Sequence, residues 1–311
     1  MKIDFELADT VAIIAEEGTL EAAARRMQIT PSAVSQRLRT IEDEVGRVLL
    51  VRSKPVHPTD AGDAVIRLAR QARVLEHDAL AGIGSASSAG DSTSGAPEPV
   101  SVPLAVNADS LATWFLTPLA RLSARHPIVF DLHRDDQDFT AALLEGGTVM
   151  GAVTSRAEPV AGCRVTALGV MRYEAVATPA FIDRYLPASL DDLVALAAAP
   201  VVQFDRRDDL QDKWVRERGI SGSRAPRHYV PASHDFAQAV KLGFGWGLLP
   251  SFQSAAELEH GALRHLGGPP IDVPLYWQQW NLRSPLLDAV AAEIVEEGRR
   301  VLRPEPSVSR R

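Results

Sequence analysis

Residues 18–46, GTLEAAARRMQITPSAVSQRLRTIEDEVG, carry the pattern of two helices separated by a tight turn. Thr19 is a predicted N-cap for a first helix over residues 20–27, which are rich in Ala and Arg. Thr30 is a second N-cap, and Pro31 occupies the first helical position, where its missing N–H costs little. Gly46 suits the left-handed position that ends the second helix. The pattern predicts a helix-turn-helix, whose second helix enters the DNA major groove.

The second helix of this hairpin has an apolar face and a polar face. Val34, Leu38 and Ile41 recur at the spacing of a stripe that faces a core. Gln and Arg side chains pair with base edges in the major groove, and Ser and Thr hydroxyls reach bases or phosphates. The residues that we expect to contact DNA are Thr30, Ser32, Ala33, Ser35, Gln36, Arg37 and Arg39. The alternative is an ordinary amphipathic hairpin whose polar face is only solvated.

A predicted β-hairpin wing follows Gly46. The segment VLLVRSKPVHPT, residues 48–59, combines a short apolar run with two prolines, a pattern typical of such a wing. Arg52 and Lys54 lie at its predicted tip, where we expect them to reach the DNA backbone or the minor groove. The alternative is a pair of solvated loop cations. Residues 1–58 are therefore predicted to form one winged helix-turn-helix domain.

Composition places the chain among ordinary globular proteins. Its 311 residues are 46% hydrophobic and 23% charged, enough for roughly two or three domains. The single cysteine, Cys163, rules out an internal disulfide and fits a reducing compartment. The N-terminus lacks the features of a signal peptide, and no apolar run reaches about 18 residues. We therefore predict a cytoplasmic protein with no membrane partner.

The net charge of −7 argues against strong binding of nucleic acid through charge alone. Residues 25–54, however, hold seven basic side chains against three acidic ones. Because salt screens charges beyond about 8–10 Å, this local excess matters more near phosphates than the total charge does. We expect weak non-specific DNA binding, and specific binding that depends on two copies of the chain acting together.

A long helix is predicted over residues 59–83. Apolar residues recur along it at alternating spacings of three and four, the pattern of a short coiled-coil seam. The seam residues, which we expect to pair two copies, are Val65, Leu68, Ala72, Leu75 and Ala79. Such pairing sets two helix-turn-helix units on a palindromic DNA site. The alternative is that the helix packs against its own C-terminal domain.

Residues 84–99, GSASSAGDSTSGAPEP, have the composition of a flexible linker, and residues 304–311 are predicted to be a disordered tail. In residues 100–303 strands alternate with helices, which favours α/β units on largely parallel sheets. The predicted strands cover residues 100–106, 128–132, 149–153, 173–177, 201–204 and 247–249. The predicted helices cover residues 110–124, 139–144, 190–197, 211–218, 236–242 and 285–301.

Polar side chains cluster where the predicted strands end, and ligands of α/β sheets bind at those ends, close to helix N-termini. The residues that we expect to bind a small effector are Asn107, Asp109, Ser110, Thr113, Asp135, Asp136, Thr154 and Gln203. Hydroxyls and helix N–H groups suit a carboxylate, whereas the aspartates suit a cation. Together they suit an amino acid with a basic side chain. The alternative is that these residues merely cap helices.

The run AAARRMQITPSAVSQRLRTIEDEVGRVLLVR, residues 22–52, resembles the N-terminal signature of LysR-type transcriptional regulators. Later runs resemble the LysG/ArgP branch of that family, which controls export of lysine and arginine. These runs are NADSLATWF (107–115), AVTSRAEPVAGCRV (152–165), GFGWGLLP (243–250) and PLYWQQW (274–280). The match covers nearly the whole chain except the Ser/Gly-rich linker, which is longer here than is usual in the family.

The resemblance implies the remaining architecture and the partners. Residues 59–83 become a dimerising linker helix, and the C-terminal domain resembles a periplasmic binding protein with two α/β subdomains. The first subdomain takes about 100–168 and 270–303, the second 169–269, with crossings near residues 168–171 and 269–273. The implied partners are double-stranded promoter DNA, a basic amino-acid effector, further copies as a dimer or tetramer, and RNA polymerase. No cofactor or metal is implied, and the expected output is activation of an exporter gene.

Two other classes of protein compete with this interpretation, namely a solute-binding protein with an incidental hairpin and an enzyme on the same scaffold. The glycine-rich residues 243–247 lack the GxGxxG spacing of a dinucleotide site, and no GxxxxGK[ST], HExxH or CxxC motif occurs. The eight histidines are scattered along the chain. No catalytic or metal-binding constellation is therefore predicted, and we do not expect an enzyme.

Overall fold

A small helical domain with a two-stranded wing forms the N-terminal part of this computed structural model, which describes residues 3–87, 99–134, 140–219 and 225–304. Its helices are α1 (Phe5–Glu17), α2 (Leu20–Arg26) and α3 (Pro31–Val45), and its strands are β1 (Leu50–Val51) and β2 (His57–Pro58). β1 and β2 pair antiparallel. The predicted helix-turn-helix and wing are both confirmed.

Side-chain caps set the boundaries of the hairpin helices. The backbone N–H of Ala22 donates to Thr19 Oγ1 at 3.1 Å, and that of Ala33 donates to Thr30 Oγ1 at 3.2 Å. Gly46 ends α3 with φ +72°, a left-handed conformation that favours glycine. Thr19 and Thr30 each precede the helix that they cap, and Gly46 directly follows α3. The local sequence is therefore sufficient to predict these helix boundaries.

The long helix α4 (Asp60–Ser87) runs beyond its predicted end at residue 83, so the first residues of the predicted linker are helical. Residues 84–87 are Gly, Ser, Ala and Ser; Gly84 disfavours a helix by about 1 kcal/mol relative to Ala, but adding residues to a helix that has already formed avoids the larger cost of nucleation. The rest of that linker, residues 88–98, lies outside the described residues, as do residues 305–311 of the predicted tail.

Strands and helices alternate through the C-terminal domain. Its strands are β3 (Val100–Val106), β4 (Ile128–Arg134), β5 (Gly151–Thr154), β6 (Cys163–Ala177), β7 (Val201–Gln203), β8 (Arg227–Tyr229), β9 (Gly247–Pro250), β10 (Arg264–His265) and β11 (Ile271–Trp280). Its helices are α5 (Ala108–Thr113), α6 (Leu116–Arg125), α7 (Thr140–Glu145), α8 (Pro179–Tyr185), α9 (Leu193–Ala198), α10 (Leu210–Glu217), α11 (Ser233–Lys241), α12 (Ser251–Glu259) and α13 (Pro285–Val301).

Two long antiparallel strands, β6 and β11, join the two subdomains. β6 pairs with β11 as far as Tyr173, and its final residues pair with β9 and β10 of the second subdomain. On the other side, β11 pairs with β5, which lies beside the parallel strands β3 and β4. The predicted α/β fold with two subdomains is confirmed. Both crossing strands are longer than predicted, and in β6 the residues Gly169 and Arg172 interrupt the apolar pattern from which a strand is predicted.

The single helix predicted over residues 110–124 is in fact two helices, α5 and α6, separated at Trp114 and Phe115. Pro118 explains the break, since its ring in a continuous helix would clash with the carbonyl of residue 114. The break places Pro118 in the first turn of α6, where proline is tolerated. Helices α8 and α12 were not predicted from the sequence. Within the described residues, no helix is long and apolar enough to cross a bilayer.

Candidate functional site

The exposed face of α3 carries most of the residues predicted to contact DNA. Thr30, Ser32, Gln36 and Arg39 are exposed, whereas Ala33 and Ser35 are half-buried. The opposite face of α3 is anchored by Val34, Leu38 and Ile41, which are at most 1% exposed in the N-terminal core. Packing of that face therefore turns the polar residues outward as one surface.

Arg37 is held differently from its neighbours on α3. Its Nη2 atom lies 2.7 Å from Glu6 Oε1 at the start of α1, and the Glu6 side chain is 72% exposed. Exposed ion pairs of this kind contribute little to stability, about 0–1 kcal/mol. A DNA phosphate that competes for Arg37 therefore displaces Glu6 at small cost.

The wing places two cations beyond the edge of the N-terminal domain. Arg52 and Lys54 are both exposed in the turn between β1 and β2. The Ser53 hydroxyl donates to the carbonyl oxygen of Pro55 at 2.6 Å, which fixes the turn between them. This arrangement suits contact with phosphates, since it places two positive charges at the exposed end of the wing.

Only part of the predicted dimer seam of α4 lies at the surface. Val65 is 4% exposed and belongs to the N-terminal core, so it is removed from the seam. Leu68 and Ala72 are half-buried, whereas Leu75 and Ala79 are exposed. Val65 was assigned wrongly because α4 also packs on α1. A heptad pattern shows which residues of a helix are apolar, but it does not show whether they face α1 or a second copy of α4.

A cavity of about 530 Å³ lies between the two subdomains of the C-terminal domain. Its volume falls in the range of small-molecule sites, about 300–1,000 Å³. Its polar lining comes from the first subdomain, the crossing strand β6 and the second subdomain, and includes Asn107, Asp109, Arg134, Tyr173, Arg207, Asp208 and Gln211. The cleft is therefore walled by residues far apart in sequence.

Asp109, in the first turn of α5, is the first of four carboxylates that line this cleft, the others being Asp205, Asp208 and Asp209. Its Oδ2 atom accepts a hydrogen bond from the Tyr173 hydroxyl at 2.6 Å. Burial raises the pKa of the Asp109 carboxyl above its ordinary value, although hydrogen bonds from Ser233 and Tyr173 favour the ionised form. Burial and the neighbouring carboxylate raise the pKa of Tyr173 well above its ordinary value, so Tyr173 stays a donor.

Asp208, in the loop before α10, is the second carboxylate. Its Oδ1 accepts from the Leu210 N–H at 3.0 Å, and its Oδ2 accepts from the Phe204 N–H at 3.1 Å. Burial raises the pKa of the Asp208 carboxyl, and the charge of Asp109 raises it further. Because the charge of Asp109 opposes ionisation of Asp208, the cleft is a favourable place for a cation.

Asn107 and Asp109 are the predicted effector residues that line the cleft. Asn107 also caps α5, since its Oδ1 accepts from the Ser110 N–H at 3.1 Å. The predicted residues Asp135 and Asp136 lie outside the described residues.

Four other predicted effector residues do not line the cleft, namely Ser110, Thr113, Thr154 and Gln203. Ser110 is fully buried, and the Thr113 hydroxyl donates to the carbonyl oxygen of Asp109 at 2.6 Å. Thr154 Oγ1 accepts from the Arg156 N–H at 3.1 Å. The Gln203 amide donates to the carbonyl oxygen of Asp208 and accepts from Arg227. For Thr113, Thr154 and Gln203 the alternative of local capping and support is the better description, whereas the Ser110 hydroxyl is buried without a hydrogen-bond partner among the described residues.

Sequence reasoning missed Tyr173, Asp208 and Gln211 as individual cleft residues. Asp208 follows the predicted strand over residues 201–204, and it lines the cleft together with Asp205 and Asp209 of the same loop. Tyr173 sits in an apolar strand and reaches Asp109 across 64 residues of sequence. No sequence pattern near Tyr173 or Asp109 predicts this hydrogen bond. Within the described residues, no cluster of three or more His, Cys, Asp or Glu could hold a metal ion.

The fold and the cleft together define a class of protein, in which a winged helix-turn-helix domain is joined to a two-subdomain ligand-binding domain. Residues 5–63 match the family model for the bacterial regulatory helix-turn-helix protein of the lysR family, and residues 101–299 match that for the LysR substrate binding domain. The chain belongs to the LysR family of transcriptional regulators.

Relatives within this family are similar along nearly the whole chain. The lysine export transcriptional regulatory protein LysG of Corynebacterium glutamicum is 38% identical over 298 residues, which are 95% of this chain and 98% of that protein. The crystal structure of ArgP from Mycobacterium tuberculosis superposes with a TM-score of 0.82 at 38% identity, covering 97% of this chain and 100% of that one. Full-length LysG from Corynebacterium glutamicum with bound effector Arg superposes with a TM-score of 0.74 at 36% identity and the same coverage.

Proposed function

We propose that this LysR-type regulator senses a basic amino acid, arginine or lysine, and controls the gene of an amino-acid exporter. The observation that carries the proposal is the pair of carboxylates, Asp109 and Asp208, that line one cavity from opposite subdomains. A guanidinium or ammonium group between them gains charge-assisted hydrogen bonds from both. A relative named for lysine export and a related structure with bound Arg support the same assignment.

The α-carboxylate of the effector needs positive charge in the same cleft. Arg134 at the end of β4 and Arg207 in the loop before α10 both line the cavity. A guanidinium presents its N–H groups in a planar fork that matches a carboxylate. These two arginines replace Ser110 and Thr113, which were the expected carboxylate ligands.

An effector that touches both subdomains stabilises the arrangement in which they are close together. The effector can shift the protein between two arrangements only by its difference in affinity for them. On this proposal, closure of the cleft changes the placement of the wings and α3 helices of paired subunits on promoter DNA. The exposed α4 residues Leu75 and Ala79 are the proposed pairing surface. RNA polymerase is the proposed target of the activated assembly.

Thermal-shift measurements on the full-length protein test the effector class. Arginine and lysine are expected to raise the melting temperature, whereas citrulline, norleucine and glutamate are expected to leave it unchanged. Citrulline is the matched control, because it keeps the length and shape of arginine but lacks its charge. Stabilisation by neutral or acidic amino acids, without stabilisation by arginine or lysine, would contradict the proposed basic effector and leave a LysR-type regulator of another ligand.

A further inference from the structure

Gln211, in the first turn of α10, lines the cleft, but its amide oxygen accepts no hydrogen bond from the part of the chain that the structure describes. The residue is 3% exposed, and Oε1 is buried without a hydrogen-bond donor among the described residues. A buried acceptor without a donor is unfavourable, and such atoms in native proteins are few. A ligand in the cleft that carries a hydrogen-bond donor can therefore supply the hydrogen bond that Gln211 Oε1 lacks.

Gln203, the last residue of β7, is a buried glutamine whose amide is fully hydrogen-bonded within this domain. Its Nε2 donates to the carbonyl oxygen of Asp208 at 2.7 Å, and its Oε1 accepts from Arg227 at 2.6 Å. Both residues are almost fully buried, at 3% exposure each. The difference between the two amides is thus one of hydrogen bonding, and not of burial.

Two of the carboxylates that line the cleft together with Gln211 are already oriented by the protein. Asp208 accepts one backbone N–H on each oxygen, and Asp109 accepts the Tyr173 hydroxyl. Each carboxylate oxygen has a second lone pair, so both remain able to accept from a ligand. A ligand that satisfies Asp109, Asp208 and Gln211 together needs several donors spread over a wide angle.

A guanidinium group meets this requirement better than an ammonium group. The guanidinium has five N–H donors in a rigid plane, whereas the ammonium has three on one small atom. We propose that Gln211 is a specificity-determining residue that makes the cleft prefer guanidinium over ammonium, and so arginine over lysine. This inference rests on the proposed function, because it assumes that a basic side chain occupies the cleft.

Isothermal titration of the full-length protein with L-arginine and with L-lysine tests this role. Gln211→Met keeps the length of the side chain and removes the acceptor. It is expected to weaken arginine binding about tenfold or more, with lysine binding changed by less than about threefold. Without effector, its melting temperature is expected to equal or exceed that of the wild type, because an unpaired acceptor is lost.

Gln203→Met is the matched control. Its amide is fully hydrogen-bonded, so it is expected to lower the melting temperature and to weaken both amino acids alike. Equal losses for arginine and lysine in Gln211→Met, or no loss for either, would overturn the assignment of Gln211. If the wild type binds neither amino acid, the proposed function fails first, and the inference fails with it.

A separate observation concerns Arg70 on α4, whose guanidinium touches both domains. Its Nη2 lies 3.0 Å from Glu16 Oε1 on α1, and its Nη1 donates to the carbonyl oxygen of Gly147 in the first subdomain. The side chain is 8% exposed. Burial opposes ionisation of Glu16, but the charges of Arg70, Arg73 and Arg26 outweigh it and lower the pKa of the Glu16 carboxyl.

The turn at residues 145–147 is fitted closely to α4. Arg67, three residues before Arg70, donates from Nη1 to the carbonyl oxygen of Glu145 at 2.6 Å. Gly147 has φ +72°, and a Cβ there would lie 2.5 Å from Arg67 Cβ, so only glycine fits. Val74, one turn beyond Arg70, is fully buried in the core of the C-terminal domain. The alternative in which α4 packs against its own C-terminal domain is therefore realised along this part of the helix.

We infer that Arg70 couples the two domains, so that they unfold as one cooperative unit. All five tryptophans lie between residues 114 and 280, so their fluorescence follows the C-terminal domain alone. Hydrogen exchange of the α1 amides follows the N-terminal domain. In the wild type both signals are expected to change at the same urea concentration.

Arg70→Met is expected to separate the two transitions, with the N-terminal domain unfolding at lower urea. Arg73→Met is the matched control, since Arg73 pairs with Asp9 and Glu16 but makes no hydrogen bond to the described residues of the C-terminal domain. It is expected to lower stability and to keep the transitions together. Coincident transitions in Arg70→Met, or separate ones in the wild type, would overturn the inference.

Discussion

The hairpin of α2 and α3 and the cleft between the subdomains are built by opposite means. The caps of the hairpin act between residues three apart in sequence, as in the hydrogen bond from Ala33 N–H to Thr30. In the cleft, Tyr173 reaches Asp109 across 64 residues. The hairpin is therefore a locally determined surface, whereas the cleft exists only when the C-terminal domain has folded.

The two regions also handle charge differently. Arg39 and Arg52 of the DNA-binding domain are exposed, where solvent and salt weaken their interactions. Asp109 and Asp208 are held where burial raises their pKa values. A cation that enters the cleft thus gains more from each carboxylate than a phosphate gains from each exposed arginine. We expect effector binding to be less sensitive to salt than DNA binding.

Leu38→Ala is the largest expected perturbation of the hairpin. Leu38 is 1% exposed in the N-terminal core, and large-to-small core changes cost about 2–5 kcal/mol. The free energy of unfolding, measured by urea denaturation, is expected to fall by that amount, and DNA binding is expected to weaken. The arginine Kd under native conditions is expected to stay the same. A changed arginine Kd would contradict the view that the hairpin and the cleft are independent of each other.

Asp109→Asn is the corresponding change in the cleft. Loss of one charge-assisted contact is expected to weaken arginine binding by about 1.5–3 kcal/mol, roughly ten- to a hundredfold. Stability without effector is expected to change little, because burial already disfavours the ionised form of Asp109. Calorimetric titration measures the affinity, and Asp131→Asn, an exposed site on β4, is the control. Equal effects of the two substitutions would contradict the assignment of Asp109.

Gln36→Ala and Arg52→Ala distinguish base reading from backbone contact within the DNA-binding surface. Gln36 is expected to read a base edge, so its loss should remove about 1–3 kcal/mol of discrimination at one base pair. Arg52 is expected to contact the backbone, so its loss should weaken all sequences similarly and reduce the salt dependence. Selection from randomised DNA followed by titration measures both quantities. A uniform loss from Gln36→Ala would remove it as a base reader.

The smallest expected effect is a dependence of arginine affinity on pH. The pKa values of Asp109 and Asp208 are raised in the empty protein above the ordinary value of 3.8, so a proton must leave before the cation binds. Affinity is therefore expected to rise as pH increases through the raised values and to level off above them. In the same window the empty protein loses stability, because buried carboxyls ionise.

Titrations in two buffers with different ionisation enthalpies measure the protons released on binding. The cation of arginine and the hydroxyl of Tyr173 do not titrate in this range, since the pKa of Tyr173 lies well above its ordinary value. Proton uptake, or affinity that falls as pH rises from about 5 to 7, would contradict a cation site made of these two carboxylates.

The sequence was enough to predict the hairpin, the wing and the α/β class, because caps, turns and periodic apolar residues act over a few positions. It was enough to select Asn107 and Asp109, which follow a strand and open a helix. It could not separate Thr154 and Gln203, which support the fold, from Asp208 and Gln211, which face the cleft. That distinction depends on which way each side chain points once distant strands have paired. Val65 failed as a seam residue for the same reason, since its partner surface lies on α1.

A crystal structure of the full-length protein with arginine gives the orientation of the basic amino acid in the cleft, on which the proposed function depends. We expect guanidinium nitrogens within hydrogen-bond distance of the Asp109 and Asp208 carboxylates, and the α-carboxylate beside Arg134 and Arg207. A guanidinium that lies away from both carboxylates, or arginine bound elsewhere on the chain, would contradict the account.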